Sequence, residues 1–247
     1  MAKHIAVAGK GGTGKTTIAS LIIKNLIADN KGKVLAVDAD PNATLFEALG
    51  IEITTTLSDI IEEVKEKKED DDTDRQEFIQ TKFKEDALIK GDGYDMLVMG
   101  APRQEGCYCF PSAVLKNSIL KLEDDYDYMI IDNEAGLEHI SRGTIQDADV
   151  MLFISDGSVK GVRAAGRIYE LAKSLSFDME KAYLVITQID DISLLQQEID
   201  ATGLELLSVV PYDPILAEYD LYGKPLLDLP EDSLAVKAVR EIFEKIL

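Results

Sequence analysis

The 247-residue sequence predicts an α/β fold, a doubly wound and mainly parallel sheet of about seven or eight strands flanked by helices. Three observations carry that expectation. Short, continuously apolar, β-branched runs recur along the chain, which is how strands buried on both faces read. Segments with helical spacing separate those runs, so strand and helix alternate. The first run stops at glycines and opens at once into a helix. In such a sheet a ligand binds outside the C-terminal ends of the strands.

The elements follow in order. "KHIAVA" (3–8) reads as the first strand, and Ile18, Leu21, Ile22 and Leu26 give the next segment one apolar helical face, with Lys24 and Asn25 outside it. "DNKG" (29–32) ends that helix with an Asn and a Gly. "KVLAVD" (33–38) is the second strand. An acidic helix begins near Ser58, and a second is expected from about Asp74 to Lys90. Further strands are "DMLVMG" (95–100), "YMIID" (128–132), "VMLFIS" (150–155), "AYLVIT" (182–187) and "LELLSVV" (204–210). Val236, Val239, Ile242, Phe243 and Ile246 recur at helical spacing in "LAVKAVREIFEKIL", and mixed charge makes packing onto the sheet the better account than a membrane surface. No repeat or low-complexity linker divides the chain, so residues 1–247 are expected to form one domain.

Composition narrows the function. Twenty-six Lys and Arg against 46 Asp and Glu leave a formal charge of -20, which repels nucleic-acid backbones and anionic lipid heads. Neither nucleic acid nor membrane is an expected partner. The acids crowd into "EEVKEKKEDDDTD" (62–74), a run that reads as a solvated helix end or loop. No stretch approaches the roughly 20 apolar residues of a membrane span, and the glycine-rich N-terminus does not read as a signal peptide, so a cytoplasmic protein is expected.

"GKGGTGKTT" (9–17) fits the spacing G-x-x-x-x-G-K-[ST] through Gly9, Gly14, Lys15 and Thr16, which makes the predicted sheet that of a P-loop NTPase. Gly11, Gly12, Thr13 and Gly14 let successive N–H groups curl round an anion, and the helix start at Thr16 and Thr17 adds its partial positive charge. Lys15 suits the β- and γ-phosphates, and the Thr16 hydroxyl the shell of a Mg²⁺ ion. Lys10 is one more cation on the loop. "DADPN" ends the second strand with Asp38 and Asp40 at the ligand edge; Asp40 suits a water-positioning carboxylate, and a turn cap is the structural alternative. "YMIIDNEAG" ends in Asp132, the pattern of a Mg²⁺-binding carboxylate, with Gly136 free to move near the γ-phosphate. Glu134 is a second carboxylate in that segment, and His139 and Arg142 follow it, His139 reading as structural.

"KGGTGKTT" resembles the deviant Walker A motif of the ParA, MinD and nitrogenase iron protein class of dimeric ATPases. The resemblance implies a homodimer in the ATP-bound state, with Lys10 reaching the partner's nucleotide, Asp40 in switch I as a catalytic or water-orienting residue, and Asp132 opening switch II. "VVPYDP", with Pro211, Tyr212 and Asp213, looks like the adenine-edge loop of that class, which favours ATP over GTP. Where the class usually has Asn and a basic residue after the sixth strand, this chain reads Thr187 and Gln188.

Cys107 and Cys109 are the only cysteines, one residue apart in "GCYC". Two small buried residues, a redox pair and a metal site are the possible readings, and a disulfide between residues so close strains its preferred geometry. A tetrahedral site for Zn²⁺ or a similar ion wants four ligands, which two chains meeting at a two-fold axis would supply as four thiolates. The joint presence of this loop, "GCYC" and "EAGLEHISRGT" is similar to the CooC family, ATPases that assist nickel insertion into carbon monoxide dehydrogenase, with relatives serving acetyl-CoA synthase. That resemblance implies Cys107 and Cys109 as nickel or zinc ligands between subunits and one of those enzymes as client. An iron protein of the nitrogenase type would need a second cysteine beyond Asp132, and none follows Cys109. An iron-sulfur scaffold ATPase and a positioning ATPase of the MinD or ParA kind compete with metal delivery as functions for such a chain.

Overall fold

The computed structural model describes residues 1–66, 82, 86–101, 109–136 and 147–247, with the backbone alone for 64–66 and 109–111. Eight strands make a single sheet: β1 (Lys3–Gly9), β2 (Val34–Ala39), β3 (Leu88–Lys90), β4 (Asp95–Val98), β5 (Tyr128–Asn133), β6 (Asp147–Asp156), β7 (Asp178–Thr187) and β8 (Glu205–Val210). Their order is β3-β4-β2-β5-β1-β6-β7-β8. Every pairing is parallel except that of β3 with β4. The doubly wound, mainly parallel sheet is therefore as expected, and it matches the topology that places a ligand at the C-terminal edge.

The helices are α1 (Lys15–Ala28), α2 (Leu45–Leu49), α3 (Leu57–Glu66), α4 (Cys109–Leu122), α5 (Val159–Ser174), α6 (Gln196–Thr202), α7 (Pro214–Tyr222) and α8 (Leu234–Ile246). Successive strand residues face opposite layers, so the sheet carries two cores. One holds Ala6, Ala8, Leu35, Val37, Met129 and Ile131 under α3, α4 and α5. The other holds Ile5, Val7, Ala36 and Ile130 under α1 and α8. Ile18, Leu21, Ile22 and Leu26 of α1 are buried as their spacing requires, and Asn30 terminates the helix region with φ 49, a left-handed conformation that Asn tolerates. Val236, Val239, Ile242, Phe243 and Ile246 of α8 are buried as their spacing requires; burying side chains of this kind contributes about 2 kcal/mol each.

Two expectations are corrected. The helix expected over about 74–90 does not include its C-terminal end, because Leu88–Lys90 pairs antiparallel with Asp95–Leu97 as an edge strand. Gly93, at φ 84, and the bond from Gly91 N to Tyr94 O (2.9 Å) close that hairpin. Residues 67–81 and 83–85 lie outside the described residues. Asn25 is buried rather than outside: its Nδ2 donates to Leu21 O (2.8 Å), and its Oδ1 accepts from Arg240 of α8 (3.1 Å). A second helix covers this flank of α1, which the spacing of α1 alone does not reveal.

Candidate functional site

The glycine loop runs from the end of β1 into α1 at the C-terminal edge of the sheet. Gly9 lies against β6, where a Cβ would stand 2.3 Å from Ile154 O, so only hydrogen fits. Gly12 and Gly14 have φ 78 and 87, the left-handed conformation that curls consecutive N–H groups inward. Gly14 is the N-cap of α1 and offers no side chain to the first turn, leaving those N–H groups for an anion. Thr13 is fully buried and donates its hydroxyl hydrogen bond to Lys10 O (2.8 Å). Lys10 itself is exposed, while Lys15 is buried with its Nζ 3.5 Å from Lys10 O. Burial lowers the Lys15 pKa, opposed by the charges of Asp132 and Asp40.

Register brings the carboxylates together. β2 lies beside β5, and Asp38 and Asp132 are paired across that ladder. Asp132 accepts a hydrogen bond from Thr16 Oγ1 at 2.6 Å through Oδ2, while its buried Oδ1 has no hydrogen-bond partner among the described residues. Burial pushes its pKa up to about 6 against the Thr16 bond and the Lys15 charge. An orphaned carboxylate oxygen beside a threonine hydroxyl is a donor set that fits a hard divalent cation. Asp38 is wholly buried, accepting from Leu45 N (2.9 Å) and Asp40 N (3.2 Å), and burial together with Asp132 raises its pKa to about 8. Asp40, half-buried, accepts from Asn42 N (2.8 Å) and Asn42 Nδ2 (3.0 Å). It thus caps the turn, the structural alternative, and still projects its charge onto Lys15 and Asp132.

Gly136 donates its N–H to Gly9 O at 3.1 Å and has φ 92, so the segment after β5 closes over the loop. A Cβ on Gly11 would be 3.7 Å from that of Ala135. Glu134 is half-buried in this segment, and His139 and Arg142 lie outside the described residues.

Across the loop, Thr187 is buried and its hydroxyl meets Thr13 O at 2.9 Å. Gln188 is exposed at φ 61, and its N–H donates to Val210 O (2.8 Å). Pro211 and Tyr212 continue from there, Tyr212 being 56% exposed. Asp213 behaves differently from a ligand contact. Its buried carboxylate accepts from Ile215 N (2.8 Å), Leu216 N (3.3 Å), Ser233 Oγ (2.5 Å) and Ala235 N (3.0 Å), which joins the cap of α7 to the start of α8. Burial works to raise its pKa, but these bonds prevail and hold it below the usual carboxylate value.

Two residues of the site went unassigned by sequence reasoning: Thr44 stands 3.4 Å from Thr16 through their hydroxyls, and Asn133 donates to Val7 O (2.8 Å). Of these only Asn133 carried a signal, a polar residue directly following the strand-end aspartate. Thr187, noted in the sequence only at the place of a base contact, acts on the loop backbone. Cys107 lies outside the described residues, and Cys109 is the first residue of α4 by its backbone. Among the described residues no group of three or more His, Cys, Asp or Glu is arranged to hold a metal ion. Nor is any helix among them long and apolar enough to cross a membrane.

Comparison with known proteins agrees with the fold. Residues 4–226 match the family described as CobQ/CobB/MinD/ParA nucleotide binding domain. An "Uncharacterized ATP-binding protein" of Methanocaldococcus jannaschii is 41% identical over 249 residues, covering 98% of each chain. The carbon monoxide dehydrogenase accessory protein CooC of Rhodospirillum rubrum is 29% identical over 240 residues, covering 91% of this chain and 89% of that one. The crystal structure of the Pyrococcus furiosus cell division ATPase MinD superposes with a TM-score of 0.75 at 26% identity, over 100% of this chain and 98% of that one.

Proposed function

The chain belongs to the CobQ/CobB/MinD/ParA nucleotide-binding family, and from that premise we propose that it is an ATPase that dimerises with ATP and delivers nickel, or zinc, to a carbon monoxide dehydrogenase. The observation that carries the nucleotide half is the Thr16–Asp132 pair, with its unpartnered carboxylate oxygen, set under a loop whose N–H groups are free for phosphate. Thr16 and Asp132 would hold Mg²⁺, which supplies positive charge to the phosphates when bound. Lys15 is desolvated beside these acids and would exchange its contact with Lys10 O for the β- and γ-phosphate oxygens. Asp40, anchored by Asn42 and half-exposed, orients the attacking water. Lys10, exposed on the loop, is free to reach a second subunit. Gln188, Pro211 and Tyr212 form the edge offered to adenine, with the Asp213 side chain already engaged inside the chain.

The metal half rests on Cys107 and Cys109 and on the likeness to the CooC accessory protein across nine-tenths of the chain. Two subunits would present four thiolates to the cargo ion, and hydrolysis would loosen the segments after β2 and β5 so that the ion passes on. Acetyl-CoA synthase as client rests on the same cysteine pair.

Metal content per subunit tests this. The chain is incubated anaerobically with Ni²⁺ and ATP, and the dimer is isolated by size exclusion beside a Cys107→Ser/Cys109→Ser variant. About one metal per two chains, lost in the variant, is the expected result. A dimer that holds no metal, or holds it equally without the thiols, refutes metal delivery. Visible absorption from anaerobically purified protein would instead favour an iron-sulfur scaffold.

A further inference from the structure

The hydroxyl of Thr187 does not face solvent or the edge offered to adenine. Thr187 is 5% exposed, and its Oγ1 lies 2.9 Å from Thr13 O and 3.2 Å from Ser155 O. A hydroxyl has one proton, and the shorter contact assigns it to Thr13 O. The methyl group sits beneath the loop as well, since a Cβ on Gly14 would meet Thr187 Cγ2 at 3.7 Å. Thr13 in turn is wholly buried and spends its own hydroxyl proton on Lys10 O, at 2.8 Å.

Hydrogen bonds, joined through the chain at Thr187–Gln188 and within Thr13, therefore connect β8 to the backbone carbonyl of Lys10. Val210 O accepts from Gln188 N, Thr187 Oγ1 donates to Thr13 O, and Thr13 Oγ1 donates to Lys10 O. Gln188 is held at φ 61, a conformation unfavourable for a side chain with a Cβ, so the bend that places Thr187 is maintained by its surroundings.

We infer that Thr187 is a positioning residue for Lys10: by holding Thr13 O it sets the turn of residues 10–13, and with it the direction in which the Lys10 side chain leaves the loop. This rests on the proposed ATPase function, in which Lys10 acts on nucleotide. A buried hydrogen-bonded chain holds a loop more rigidly than the glycines on either side of it could, and rigid support is what an activating cation needs to act without reorganisation.

A double-mutant cycle between Thr187 and Lys10 tests it, with ATP affinity measured by titration calorimetry and hydrolysis by phosphate release. Thr187→Val keeps the shape and removes the proton. Its kcat is expected to fall about tenfold with KM changed by about twofold at most, and Thr187→Ser is expected to restore most of it. In a Lys10→Ala background the same substitution is expected to change kcat by no more than about twofold, because the residue it positions is gone. Full additivity overturns the assignment and makes Thr187 a general support of the loop; a Thr187→Val chain with parental kcat overturns it too. A parent chain that neither binds nor hydrolyses ATP overturns the ATPase function and this inference together. A parent that does both, beside an unaffected variant, removes this inference alone.

Discussion

Replacing Asp213 by alanine isolates what its buried carboxylate contributes. Four donors converge on it: Ile215 N and Leu216 N at the start of α7, and Ser233 Oγ and Ala235 N at the start of α8. Loss of the α7 cap costs about 1 kcal/mol. The Ser233 hydroxyl and the Ala235 N–H are left buried without an acceptor, at about 1–3 kcal/mol each. Release from burying a charge offsets about 1 kcal/mol of this, leaving about 2–6 kcal/mol. For a chain of this length that corresponds to a fall in Tm of about 5–20 °C, read by far-UV circular dichroism or urea titration at pH 7. The pH dependence follows from the sign of the shift. The folded pKa lies below the unfolded value near 3.9, so the stabilisation is present above about pH 4 and disappears as the pH falls through the lower folded value. The gap between parent and Asp213→Ala should therefore narrow on acidification. Asp213→Asn keeps an acceptor for the α7 cap but turns an amide N–H₂ toward Ala235 N–H, and should lose about 2 kcal/mol. A deficit within about 0.5 kcal/mol at pH 7, or one that does not depend on pH, would refute the reasoning.

Three further substitutions test the frame that carries the site. Gly9→Ala drives a Cβ into Ile154 O and should destabilise by about 1–3 kcal/mol or more, whereas Gly12→Ala meets nothing within 4 Å and should cost only the left-handed conformation, about 1 kcal/mol; comparing their Tm values checks the order. Arg240→Ala removes a two-pronged contact to Asp29 (2.8 and 2.9 Å) and the donor to Asn25 Oδ1, between α8 and α1. Partial exposure limits the loss to about 1 kcal/mol, and urea titrations at low salt and at about 0.5 M salt should show it shrinking.

What was legible in the sequence is what depends on neighbours along the chain. Gly14, Lys15 and Thr16 could be placed because a strand, a glycine turn and a helix start follow one another directly. Asp132 could be placed because it ends a wholly apolar run. The short strand Leu88–Lys90 escaped because three residues carry no period, and its existence depends on the free edge of β4. Asn25 misled because the helix that covers it, α8, is more than two hundred residues away in sequence.

The deeper part of the site is set by strand order, which spacing does not encode. Asp38 looks like any strand-end carboxylate, yet β2 lies between β4 and β5, which buries it beside Asp132 and raises its pKa to about 8. Thr187 looks like a missing base contact. Because β6 is the strand between β1 and β7, the ladder carries Thr187 under the glycine loop, where its proton finds Thr13 O rather than a ligand. Asp213 follows the same logic in the opposite direction: a residue at the expected ligand edge is drawn inward by the start of α8. In each case the side chain's chemistry was readable and its partner was not. Substitutions that exchange one partner, rather than delete a motif residue, are therefore the ones that separate a supporting role from a direct one at this edge of the sheet.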